Sequence, residues 1–251
     1  MNQPGTSLAS TSRRLFLAIA SGLMLLLAPT IKSSLAEEIP DGNTVKIVAL
    51  GDSITKGVRS GVKPDETFAA LLEVDLKKQG VRAEVVNVGI GGERTDQALA
   101  RLEKEVIAAK PQFVTIMYGT NDSYVDKGAT EPRLTAVDYR RNLAALCDKL
   151  RAAGITPVLM TEPRWGPDAR NGLDENPNGR LEKYMEECRA IAKERKLPLV
   201  DHFAHWTKAE SEGTKIADWT TDQCHPNPAG HRVMADLILP VLLKSIGEKS
   251  N

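Results

Sequence analysis

A parallel β-sheet covered by helices on both faces is the fold class that this chain predicts, as an α/β protein of three layers. Three observations carry it. Short, almost continuously apolar runs recur along the sequence, as in strands buried on both faces. Amphipathic stretches with helical spacing separate them. Polar, glycine-bearing motifs follow the first three runs, where open α/β sheets place their sites.

In order, residues 1–36 read as an export signal rather than as part of the fold. Ser12-Arg13-Arg14-Leu15-Phe16-Leu17 is a twin-arginine pattern, an apolar run from Leu15 to Ala28 follows, and Ser34-Leu35-Ala36 offers small residues for cleavage. That run is shorter than a membrane span of about 20 residues. Residues 37–251 are expected to form one domain, with no stable membrane insertion once the signal is cleaved. Val45–Leu50 reads as the first strand. Phe68, Leu71, Leu72 and Leu76 share one helix face, with Asp65 as the expected cap. Ala83–Val88 and Phe113–Tyr118 read as the second and third strands. Tyr139, Leu143, Leu146 and Leu150 mark the next helix, Thr156–Met160 the fourth strand, and Tyr184, Met185, Cys188 and Ile191 another helix. Leu197–Val200 is a short fifth strand. Asn227 and Pro228 open a last helix carrying Val233, Met234, Leu237, Ile238 and Val241. Two connections, 161–179 and 201–226, read as long loops, which in compact domains are often functional.

Composition excludes several classes. The 251 residues carry 33 Lys and Arg against 33 Asp and Glu, so no charge excess points to nucleic acid or an anionic membrane. Cys147, Cys188 and Cys224 are an odd set, and the first two fall in apolar helical patterns, so free buried thiols are expected rather than a disulfide framework. Oligomeric state is not legible.

Four motifs carry chemistry. Gly51-Asp52-Ser53 sets a hydroxyl at the end of the first strand. Asn87-Val88-Gly89-Ile90-Gly91-Gly92 lets backbone N–H groups approach a ligand; its spacing does not match a dinucleotide fingerprint. Gly119-Thr120-Asn121-Asp122 presents a side-chain amide, with Asp122 expected to hold the loop by local hydrogen bonds. In Asp222-Gln223-Cys224-His225, a turn brings the carboxylate to the imidazole, which can hold Nδ1–H and leave Nε2 as a base. Together they supply the parts of an acyl-transfer site. His231 reads as structural, and His202 and His205 have no partner at useful spacing.

These motifs resemble those of the GDSL, or SGNH, hydrolase superfamily, over Gly51 to Gly230. The resemblance implies a flavodoxin-like sandwich with five parallel strands in order 2-1-3-4-5. It implies Ser53 as nucleophile, Asp222 and His225 as its acid and base, and an oxyanion hole from the Ser53 N–H, Gly92 and Asn121. Ile54 stands where the family name has Leu. It also implies ester hydrolysis with no metal or cofactor. Arg94, Arg164 and Trp165 are expected substrate contacts. The long loops, which also carry Trp206 and Trp219, offer polar groups and tryptophans rather than runs of aliphatics, which suits a short acyl group, acetyl first, on a small-molecule or glycan ester. A lipase, lysophospholipase or thioesterase of the same fold is the alternative. Outside that class stand a metallophosphoesterase, for which no Asp-x-His occurs among four histidines, and a non-catalytic glycan-binding module.

Overall fold

The computed structural model describes residues 44–250, and the expected export signal lies outside them. Strands β1 (Val45–Gly51), β2 (Ala83–Asn87), β3 (Phe113–Met117), β4 (Thr156–Met160) and β5 (Leu199–Val200) form one parallel sheet in the order 2-1-3-4-5. Helices α1 (Ser53–Lys56), α2 (Phe68–Lys78), α3 (Thr95–Arg101), α4 (Ala136–Ala152), α5 (Asn178–Arg195), α6 (His202–Ser211) and α7 (Pro228–Ser250) complete it. The expected class and strand order hold.

The alternation of side chains along each strand divides the core into two. Val48 and Leu50 of β1, Val114 and Ile116 of β3 and Leu159 of β4 pack with Tyr139, Leu143 and Leu146 of α4 and Leu181, Met185 and Cys188 of α5. Ile47, Ala49, Phe113, Met117, Val158 and Met160 face the opposite way, against Phe68, Leu72 and Leu76 of α2, Trp206 of α6, and Met234, Ile238 and Leu242 of α7. Full burial of one such aliphatic side chain is worth about 1.5–3 kcal/mol, so both helical layers are held chiefly by these stripes. Cys147, Cys188 and Cys224 are free and buried.

Local differences from expectation have local causes. Asp65 does not cap α2: it lies in a 3-10 turn, Pro64–Glu66, and the Thr67 hydroxyl accepts from the Ala70 N–H at 3.4 Å. Helix α3, which the sequence did not announce, begins at Thr95. The 201–226 connection is not all loop. Asp201 accepts from the Ala204 N–H and caps α6, whose buried side chains His202, Phe203 and Trp206 give a stripe too brief to read as periodic. Trp206 is therefore core, not a loop residue. The 161–179 connection is irregular as expected, tied down by reciprocal 2.8 Å bonds between Trp165 backbone and the Asn178 amide.

Candidate active site

The carboxyl ends of β1 and β3 and the turn before α7 meet at one place. Asp52 caps α1 by accepting from the Ile54 N–H at 2.8 Å, which sets Ser53 in the helix's first turn. The Ser53 Oγ lies 2.9 Å from His225 Nε2. His225 Nδ1 lies 2.9 Å from Asp222 Oδ2, and Asp222 Oδ1 also accepts from the His225 and Cys224 backbone N–H groups at 2.8 and 3.2 Å. The turn is closed by Gln223, whose φ of 69° is uncommon for a side-chain-bearing residue. Asn227 anchors the start of α7, its side chain accepting from the Gly230 N–H at 3.0 Å. The carboxylate thus holds Nδ1–H and leaves Nε2 to accept from the serine hydroxyl.

Electrostatics favour that state. Burial is the main influence on His225 and outweighs its bonds to Asp222, so its pKa falls below the ordinary value. Burial also pushes Asp222 up, but the His225 backbone bond, the imidazole and the Arg59 guanidinium together hold it below the usual carboxylate range. Arg59, which no motif marked, donates to Asp222 Oδ2 at 2.7 Å.

The second glycine motif docks on the nucleophile turn. Ile90 N–H donates to the Gly51 carbonyl at 3.0 Å, and a Cβ on Gly89 would come within 2.3 Å of the Lys56 nitrogen, so only glycine allows this approach. Gly91 stands beside Ser53, and Gly92 follows with φ 78°. Glu93, buried, takes two 2.6 Å bonds from Arg101 and one from the Tyr118 hydroxyl, bracing this loop from behind. Asp122 bonds to its own backbone, as expected, and also across to a second loop, where its Oδ1 accepts from the Thr95 N–H and hydroxyl. Asn121 is held at both ends, its Nδ2 donating to Asp52 Oδ2 at 2.7 Å and its Oδ1 accepting from Arg133 at 3.0 Å. One N–H of the amide remains for another acceptor.

Ser53, Thr120, Asn121, Tyr124, Arg133, Trp165, Cys224 and His225 line a cleft of about 240 Å³. Trp165 stacks on Tyr124 with ring centroids 5.9 Å apart, and the Arg133 guanidinium covers the Tyr124 ring at 5.1 Å. Of the three expected substrate contacts, only Trp165 lines this cleft. Arg94 pairs with Asp96, and Arg164 pairs with Glu210 of α6 at 2.7 Å. Tyr124, Arg133 and Arg59 lie between motifs, at spacings that carry no signal. Roomier clefts near the amino ends of β4 and β5 hold none of the four motifs. Among the described residues, no cluster of three or more His, Cys, Asp or Glu side chains is arranged to hold a metal.

A family model described as the GDSL-like lipase/acylhydrolase family matches residues 49–233. An acetylxylan esterase of Geobacillus stearothermophilus is 29% identical over 213 residues, covering 79% of this chain and 94% of that protein. An uncharacterised lipoprotein of Bacillus subtilis (strain 168) is 28% identical, covering 75% and 85%. A solved structure of a catalytic mutant of the Geobacillus acetylxylan esterase matches with a TM-score of 0.66 and 25% identity, covering 78% of this chain and 93% of that one. That mutant replaces a serine, and other solved catalytic mutants of the same esterase replace an aspartate and a histidine.

Proposed function

From the premise that the chain belongs to the GDSL-like lipase/acylhydrolase family and is a carboxylic ester hydrolase, we propose that it uses Ser53, His225 and Asp222 to remove short acyl groups, acetyl first, from a carbohydrate alcohol. The observation that carries the chemistry is the continuous hydrogen-bonded line from Ser53 Oγ through His225 to Asp222 at the floor of the cleft. His225 Nε2 takes the hydroxyl proton as Ser53 Oγ attacks the acyl carbon. The oxyanion receives the N–H groups of Ser53 and Gly92 and the free N–H of Asn121. His225 then protonates the leaving alcohol, and a water, deprotonated by the same imidazole, hydrolyses the acyl-serine.

Three features support a small acyl group on a sugar: the modest cleft, its polar and aromatic lining by Thr120, Asn121, Arg133, Tyr124 and Trp165, and the name of the acetylxylan esterase relative. Trp165 offers an aromatic wall, and Arg133, held by Asp126, a cationic one. Residues 1–36 act as a twin-arginine export signal and residues 37–251 as the enzyme domain; amino-terminal sequencing of the exported protein tests the boundary. Among the described residues no helix is long and apolar enough to cross a membrane.

The substrate test is kcat/KM for acetyl, butyryl, octanoyl and palmitoyl esters of one alcohol, with acetate release from acetylated xylan. Each buried CH₂ favours binding by about 0.8 kcal/mol, so a lipid-type pocket shows rates rising with chain length and the proposed cleft shows the reverse. A preference for octanoyl or longer overturns the carbohydrate reading in favour of a lipase or thioesterase.

A further inference from the structure

Beneath the nucleophile turn lie two carboxyl groups that the mechanism does not use. Asp52 and Glu162 are both fully buried. Asp52 uses one oxygen to cap α1 and the other to accept from the Asn121 amide. Glu162 directly follows the Thr161 that continues β4, and its two side-chain oxygens reach no partner with good hydrogen-bond geometry. An ionised carboxylate in that position is far more costly than a neutral acid. Burial raises the Glu162 pKa most, the Asp52 charge adds to it, the Thr120 backbone opposes it, and Asp122 and the Asp52 carboxyl raise it further.

We propose that Asp52 and Glu162 are a buried carboxyl pair sharing one proton, and that this pair positions the Asn121 amide as an oxyanion donor. The inference rests on the esterase reading of the site. Glu162 carries the proton toward Asp52, so Asp52 stays an acceptor and draws one N–H of Asn121 away from the cleft. Arg133, on the amide oxygen, fixes the other end. With both ends held, the second N–H has one direction left, and the amide does not reorganise as charge develops. Burial pushes both acids upward, Asp52 to about 7, and their titrations are linked. Tyr118, Tyr139 and Cys224 surround the pair, and burial raises each of them too, so none supplies a negative charge at neutral pH.

Two measurements test this. The first is the infrared spectrum at pH 8, above the titration of Asp122, which burial pushes up to about 6. The intact protein is expected to show a protonated-carboxyl stretch that Glu162→Gln removes; its absence from the wild type overturns the shared proton. The second is a double-mutant cycle read as kcat. Asp52→Asn is expected to lower kcat roughly 10–10²-fold with little change in KM, and to cost almost nothing more in an Asn121→Ala background. Glu162→Met, which keeps volume and removes the donor, should cost more than Glu162→Gln, and it carries the same cycle where Asp52→Asn does not fold. Independent, multiplying losses overturn the positioning role. Full activity in Asn121→Ala strikes the esterase reading of Asn121 itself, whatever the infrared band shows.

Discussion

At the scale of the residue, the arrangement makes separable demands on each side chain. Ser53→Ala is expected to lower hydrolysis of a short aryl ester by several orders of magnitude while the circular dichroism spectrum is unchanged, because the hydroxyl lies in a cleft and not in the core. A variant keeping a tenth of the activity rules the serine mechanism out. Asp222→Asn leaves an acceptor for the backbone bonds but favours the wrong imidazole tautomer, at a cost approaching about 10⁴-fold. Since burial holds His225 below its ordinary value, kcat/KM should rise with pH through a midpoint below about 6.5. Arg59 contributes to that depression, because a nearby cation disfavours the imidazolium. Arg59→Gln should therefore move the midpoint to higher pH; a midpoint that stays put or falls leaves Arg59 without electrostatic influence on the base. The four motifs made Ser53, Asn121, Asp222 and His225 legible beforehand. Arg59 and Arg133 were not, since each is defined by a partner 163 or 12 residues away rather than by its neighbours.

At the scale of the element, the site depends on how closely two loops approach. Gly89→Ala would set a methyl against the Lys56 backbone, which has no rotamer to relieve the clash. The second loop must then retreat from Ser53, and a fall in kcat is expected together with a lower melting temperature. Unchanged kcat in a folded Gly89→Ala protein would mean that this loop's position is irrelevant to the chemistry. Capping is simpler: Thr135 accepts from the Asp138 N–H at 3.1 Å at the start of α4. Thr135→Ala should cost about 1 kcal/mol in urea unfolding and leave kinetics alone. Strands β1, β3 and β4 were readable because burial on both faces imposes continuous apolar runs. Helix α6 was not, because it buries few side chains and its own His205 and Lys208 look like loop.

For the whole molecule, buried titratable groups decide stability against pH. His202 is fully buried and held neutral, its pKa lowered by burial to about 3. The unfolded chain binds a proton there below about 6.5, so the native state loses stability as pH falls from that value toward 3. Asp52, raised to about 7, works in the opposite sense, losing stability as pH rises toward 7. His202→Leu should therefore lose less stability than the wild type between pH 6.5 and 4.5, whatever its offset at neutral pH; equal slopes in urea midpoint against pH would show that His202 does not titrate as its burial demands. The sequence by itself determined the layered α/β class and, through residue types in order, singled out the serine, the amide and the acid–His pair that the fold brings together. These are local properties: a hydrophobic run, a glycine turn and a three-residue spacing each act within a few positions of chain. Only the tertiary structure decided which charges face one another, setting Arg59 on Asp222, Glu162 behind Asp52, and Arg94 and Arg164 on partners outside the cleft. The reason is physical: burial and Coulomb interaction depend on distance in space, and packing alone brings groups from separate strands to within one hydrogen bond.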